Sequence, residues 1–230
     1  KPLLAAAAAS GEAPLPLLPE VTQQLTLMAG SAIAMCMKRE QENLEDIIYA
    51  AGGFAGIAEP ARYRKVHNSV SQAANQLQMM RRTWQAVLPK PTIYHALGHV
   101  TNCVINAVTR QLLQPGAVKM DQVPQLLDIL DPLLICEQWF INPDALAKKR
   151  RSARGNAEQQ AEKCANRYVP GLRKFKLLLG ILPLTLSNIM AQWNAAELTD
   201  FEPPELKTLI VTLFPDSAQR KQCVHELENR

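Results

Sequence analysis

Few residues in this chain stand at spacings that could do chemistry. His95 and His99 are four apart, so a helix would carry both imidazoles on one face, a spacing that can hold a metal ion. Ala96-Leu97-Gly98 lies between them, with no glutamate base, and no third ligand can be named. They read as polar-edge histidines on a packed helix, and His67 and His225 are isolated. Asp128 and Asp131 are three apart, with Asp121 upstream. Paired carboxylates can serve as acid and base or hold magnesium. Here Leu126, Leu127, Leu130 and Leu133 fill the opposite face, so the aspartates read as a solvated helical face. Gly52-Gly53-Phe54-Ala55-Gly56 does not match the dinucleotide fingerprint and no strand precedes it; no lysine stands in the P-loop position, and no G-x-S-x-G elbow occurs. The reading is non-enzymatic, with no cofactor and no metal.

The most conspicuous local feature is the cationic run Lys148, Lys149, Arg150, Arg151 and Arg154. Such a run could meet phosphates, acidic headgroups or an acidic protein surface. No aromatics are interleaved, so base stacking is not implied, and a solvated loop is the plainer reading. Charge is uneven along the chain: residues 61–110 hold 7 basic and no acidic side chains, residues 148–176 hold 10 basic and 2 acidic, and the whole carries +4. The alternative function to keep is therefore a peripheral binder of acidic membrane or nucleic acid through the blocks 61–110 and 148–176. Cys36, Cys103, Cys136, Cys164 and Cys223 are odd in number and contain no C-x-x-C, which points away from zinc or a redox dithiol and toward a reducing compartment.

The elements that must position these residues are helices. Apolar residues make up 47% of the 230, aromatics only 5%, and glycines number 10, which leans to α and away from a β-sandwich or barrel. Residues 1–19 read as a Pro/Ala-rich, flexible lead-in. From Glu20, Val21, Leu25, Met28, Ala32 and Met35 repeat at 4, 3, 4, 3, and Leu44, Ile47 and Ile48 extend the stripe to a stop at Gly52. A second helix spans about Ala61 to Val87, with Val66, Val70, Ala73, Leu77, Met79 or Met80, and Trp84 inward. A third starts near Thr92 as N-cap and carries Ile93, Leu97, Val100, Val104, Val108 and Leu112. A fourth, Val123 to Phe140, should kink or split at Pro132. After the polar stretch 148–167, an apolar helix follows Pro170 through Leu172, Phe175, Leu178, Leu182, Leu186, Ile189 and Trp193, bent at Pro183. Two short helices close the chain, Pro204 to Phe214 and Asp216 to about Glu228, with Asp216 or Ser217 as cap. No run of about 18 uncharged apolar residues exists, so nothing is expected to span a membrane. The expected fold is all-α: an elongated antiparallel helical bundle or rod, with 20–147 its first part, 148–167 a cationic loop, and 168–230 its C-terminal part.

Two stretches carry a resemblance. Tyr168-Val169-Pro170, the heptad-like run from Phe175 to Trp193, and Glu205-Leu206-Lys207-x-Leu209-Ile210-x-x-Leu213-Phe214 come in one order. Upstream stand Trp84-Gln85-Ala86-Val87-Leu88-Pro89 and Tyr94-x-Ala96-Leu97-Gly98-x-Val100-x-Asn102. Together they resemble the C-terminal region of the Zeste-white-ten family, from roughly Trp84 to the end. The resemblance implies a fold of the multisubunit-tethering type and a scaffold subunit without catalysis. It implies docking of a large α-solenoid subunit of the neuroblastoma-amplified or Rough-deal type. Links to a Rad50-interactor-type subunit or Zwilch would run through the rest of the complex, with possible ties to coatomer, SNAREs and dynein adaptors. It further implies a cytoplasmic protein, peripheral at the endoplasmic reticulum and/or the kinetochore, serving Golgi-to-endoplasmic-reticulum tethering and/or checkpoint and dynein recruitment. The docking residues are placed on the final two helices: Leu206, Leu209, Ile210, Leu213, Phe214, Val224 and Leu227. Internal packing of the first five is the competing expectation.

Overall fold

A computed structural model describes residues 19–140 and 164–229. The lead-in 1–18 and the cationic residues Lys148, Lys149, Arg150, Arg151 and Arg154 lie outside the described residues. Those described form eight α-helices with no strand among them: α1 (Pro19–Ala50), α2 (Pro60–Val87), α3 (Lys90–Leu112), α4 (Val123–Leu134), α5 (Gly171–Ile181), α6 (Leu186–Asn194), α7 (Pro203–Leu213) and α8 (Ala218–Glu228). 3₁₀ segments at Met120–Gln122 and Ile135–Phe140 flank α4, and residues 164–168 are helical as well. Contacts divide the chain into two compact units, Lys1–Arg39 and Glu40–Arg230.

In the first unit, the described residues are the N-terminal part of α1. The stripe expected to face a core is bare: Val21, Leu25, Met28 and Met35 are exposed, Met28 to 70%, and so is Ala32. Periodicity measures how apolar residues are spaced on a helix. It carries no information on whether a neighbour is there to cover them.

The second unit has a continuous core. In α2 the inward side chains are Val66, Val70, Ala73, Leu77 and Met80; Met79, one residue off the stripe, is exposed. All six apolar positions expected on α3 are buried. The α3 helix starts earlier than expected. Pro89 is the N-cap and Pro91 sits in the first turn, where its missing N–H costs nothing because no carbonyl precedes it to be bonded. Thr92 therefore caps nothing. Pro132 is accommodated inside α4, near its C-terminal end, and the chain passes into the 3₁₀ turn three residues later. At Pro183 the chain leaves the helix rather than bending it: α5 ends at Ile181 and α6 restarts at Leu186, with the Thr185 hydroxyl accepting from the Asn188 N–H at 3.4 Å.

The second unit is assembled by α2 packing on α3 and α4, α3 on α5, and α7 on α8. Residues from both sides of the 141–163 stretch thus share one core. The turn after α1 is held by one side chain. Arg62 of α2 donates to the carbonyls of Gly52 (2.6 Å), Gly53 (2.7 Å) and Ala55 (3.2 Å). Gly52, Gly53 and Gly56 all have φ near +75 to +80°, which turns these carbonyls toward the guanidinium.

The α3–α5 crossing is the tightest point. A Cβ on Gly98 would sit 2.6 Å from the Tyr168 carbonyl oxygen. The Asn102 side chain accepts from the Gly171 N–H at 2.7 Å, capping α5 from a neighbouring helix. Around the crossing, the Tyr168 ring stacks on Phe140 (5.6 Å between centroids) and meets Tyr94 (5.5 Å) and His95 (5.2 Å, edge-on). Two sequence stretches about 70 positions apart, Tyr94 to Asn102 and Tyr168 to Gly171, are therefore one structural feature.

Candidate functional site

Among the described residues, the chemistry-bearing side chains do not converge. His95 and His99 are both exposed, and the His95 ring is engaged with Tyr168. Among the described residues no cluster of three or more His, Cys, Asp or Glu is placed to hold a metal ion. Asp128 and Asp131 are exposed, and Asp128 accepts from the Tyr63 hydroxyl. That hydrogen bond, with lesser help from desolvation, pushes the Tyr63 phenol above its ordinary value. The pair ties α2 to α4. Cys136 is buried, and burial followed by the neighbouring Glu137 carboxylate pushes its thiol up to about 12, so at neutral pH it is a small apolar filler. Burial likewise raises the thiols of Cys103 and Cys223.

Many cations outside the cationic run have partners inside the chain. Arg62 holds the α1–α2 turn, Arg81 lies over the Trp139 ring at 5.8 Å, and Arg110 donates to the Tyr49 hydroxyl at 2.9 Å. On α5, Arg173 pairs with Asp200 (2.9 Å), Lys174 with Glu205 (2.6 Å) and Lys176 with Glu137 (3.1 Å). Several charges counted in the two basic blocks thus join helices to each other instead of forming one outward field.

The C-terminal helix pair is the candidate site. Leu206, Leu209, Ile210 and Leu213 of α7 and Leu227 of α8 are buried, at most 3% exposed. They face the chain's own core, because α7 needs its apolar side to pack at all; a short isolated helix is not stable in water. Phe214 and Val224 are half-buried. Val211, which the helical stripe skips, is 45% exposed. A partner meeting this pair finds Val211, Phe214 and Val224 rather than the stripe. Val211 was legible in principle, since it lies on the side of the helix opposite the 206/209/213 stripe.

The pair is built as a rigid corner. Arg220 of α8 donates to the carbonyls of Phe214 (2.8 Å) and Val211 (3.3 Å) and to the Asp216 carboxylate (2.8 Å), closing the C-terminus of α7 onto the start of α8. The Ser217 hydroxyl caps α8, accepting from the Arg220 N–H at 3.1 Å. Asp216 loses some solvation there, but hydrogen bonds from Lys221 and Arg220 outweigh that and hold its carboxyl below the ordinary value. Lys207 of α7 pairs with Glu228 of α8 and lowers its carboxyl likewise. The corner is fixed to the rest by Glu205, whose carboxylate takes both Lys174 and the Glu202 N–H (2.9 Å), by Gln219 donating to Ser187 (3.0 Å), and by the Gly116 N–H donating to Thr212 (3.2 Å).

Among the described residues, ionisable groups tie helices to one another and the terminal helix pair is closed by Arg220. The family model described as the ZW10 C-terminal helical domain matches residues 68–227, and the chain belongs to that family. The chain is 22% identical over 211 residues to the centromere/kinetochore protein zw10 homolog of Arabidopsis thaliana, covering 91% of this chain and 27% of that relative. This chain thus spans about a quarter of the relative's length. No described helix is long and apolar enough to cross a membrane.

Proposed function

We propose that this chain is a C-terminal scaffold domain of a kinetochore- or tethering-type complex, and that it docks a large α-solenoid subunit of the neuroblastoma-amplified or Rough-deal type. The observation that carries the reading is the family match over residues 68–227. The rigid α7–α8 corner supports it, because a scaffold must hold its partners at fixed separation. On this reading the partner rests on Val211, Phe214 and Val224. Through the complex, a Rad50-interactor-type subunit or Zwilch, coatomer, SNAREs and dynein adaptors lie further out, at the endoplasmic reticulum or the kinetochore.

The test is affinity purification from dividing and interphase cells, comparing the unaltered protein with Val211→Glu and Val224→Glu. A charge in the centre of a helical contact costs well over a factor of 10 in affinity. The solenoid subunit should be recovered with the unaltered protein and lost with the variants, whose helical circular dichroism should be unchanged. Recovery undiminished in both variants refutes docking on this corner. Coatomer and SNAREs in the eluate would assign the trafficking complex, and dynein adaptors the kinetochore one.

A further inference from the structure

The N-terminal part of α1 lacks what ordinarily holds a helix in water. Residues 21–37 contain no charged side chain, so no ion pair four residues apart can form there. Residues 20–32 are exposed all round the helix, and Leu25, Leu27, Met28 and Met35 are 58–70% exposed. The Thr26 hydroxyl turns back onto the Thr22 carbonyl at 2.8 Å, an arrangement that slightly weakens a helix. Packing against another element must supply the stability that local interactions do not.

Chemistry separates the candidate occupants. A second copy would offer an equally uncharged face, but Val21, Leu25, Met28, Ala32 and Met35 make only about two heptads, short of the roughly 3–4 that sustain a coiled coil between separate chains. Residues 141–163 carry Lys148, Lys149, Arg150, Arg151, Arg154 and Lys163 with Asp144, Glu158 and Glu162. Ions laid on a seam without charge are stripped of water and gain no partner. Residues 1–18 match the seam: 11 of the 18 are Leu or Ala, and only Lys1 and Glu12 are charged. The first unit, Lys1–Arg39, consists of these residues and α1 alone.

The length of chain fits as well. Pro19 opens α1, and Pro14 and Pro16 disfavour helix at the residues before them, so the chain cannot prolong α1 backward as one helix. Gly11 to Leu18 leaves eight residues in which to reverse direction, within the usual length between neighbouring helices. Pro2 to Ser10 has nine residues, about 14 Å as a helix, against about 11 Å from Val21 to Met28. Ala5 to Ala9 are the best of helix formers, yet nine residues are too few to hold a helix alone. Each piece needs the other, and in one chain their effective concentration is about millimolar.

We propose that residues 2–10 fold back as a short helix antiparallel to α1 and cover its seam, with Leu3 and Leu4 against Leu25 and Met28. The proposal does not depend on where the solenoid subunit docks. It is tested by amide hydrogen exchange in the 230-residue chain. Leu3→Glu with Leu4→Glu should speed exchange over residues 21–30 about tenfold or more, and leave α3 and α5 protected. Leu25→Glu with Met28→Glu, outside the core of the second unit, should speed exchange over residues 3–10 in return. In the unaltered chain both stretches should exchange at rates independent of protein concentration. Three results overturn the proposal: residues 21–30 exchanging equally fast in the unaltered chain and the Leu3/Leu4 variant, residues 3–10 unmoved by the Leu25/Met28 variant, or protection that rises with concentration. The last would identify a second copy as the occupant.

Discussion

The α3–α5 crossing makes a prediction whose sign is opposite to that of helix propensity. Gly98 lies inside α3, where Gly→Ala ordinarily stabilises by about 1 kcal/mol. Here the added Cβ would lie 2.6 Å from the Tyr168 carbonyl oxygen, 2.8 Å from its Cβ and 3.1 Å from its carbonyl carbon. These atoms cannot retreat cheaply. Tyr168 is locked by three ring contacts, and the chain just after it is tied down by the Val169 N–H to Ala165 (2.8 Å) and the Gly171 N–H to Asn102. Forcing a methyl into such a site costs ~2–3 kcal/mol. Subtracting the propensity gain leaves Gly98→Ala destabilised by ~1–2 kcal/mol, a fall in Tm of about 2–8 °C for a unit of this size. The control is Gly180→Ala on α5, where nothing lies within 4 Å of the new Cβ. It should be neutral or stabilise by up to ~1 kcal/mol. Urea denaturation followed by helical circular dichroism reads both, with near-ultraviolet signals reporting the tyrosines of the crossing. A Gly98→Ala variant at least as stable as the unaltered chain would refute the close crossing, whatever the control does.

Further outcomes follow from the same contacts. Arg62→Ala removes three bonds from a guanidinium to the Gly52, Gly53 and Ala55 carbonyls and should cost ~2 kcal/mol, with faster amide exchange over residues 51–59; Arg62→Lys should recover only part of it. Exposed Cys36 should alkylate readily near pH 8, whereas Cys136, its thiol pushed up to about 12, should react about a thousand-fold more slowly while the chain is folded. Because the folded value lies above the ordinary 9.0, this thiol's contribution to stability is intact below pH 9 and is lost as pH rises from there toward 12, which alkaline titration of the denaturation midpoint reads. Glu228 runs the other way: Lys207 holds its carboxyl below the ordinary 4.5, so the stability of the α7–α8 pairing is fully present above 4.5 and is lost as pH falls below it through the lowered folded value. A Lys207→Gln variant should flatten the acid limb of an α8 exchange profile. If the basic blocks do bind acidic surfaces, liposomes or DNA should retain the chain at low salt and release it as ionic strength rises; absence of low-salt retention removes that reading.

Much of the fold could be read along the chain. The stripes of α2, α3 and α5 depend on spacing between residues of one helix, and the buried sets at Val66 to Leu77 and Ile93 to Leu112 follow them. Prolines were harder to read. The ring's effect depends on whether the carbonyl four residues back needs its N–H, which made Pro91 harmless, Pro132 tolerable and Pro183 a break. The candidate site was half legible. The α7 stripe was recognised, but a stripe of Leu206, Leu209, Ile210 and Leu213 looks the same whether its own chain or another protein covers it.

By itself, the sequence determined the all-α class, most of the core stripes of the second unit and the family to which the chain belongs. Each is encoded in residue order and local periodicity, so no long-range geometry is needed to see them. Tertiary structure alone decided that Gly98 and Asn102 meet Tyr168 and Gly171, that Arg62 and Arg220 close their corners, and that the α1 seam stands open while the α7 stripe is covered. Burial and close approach are properties of pairs far apart in sequence, and they exist only once the chain has brought those pairs together.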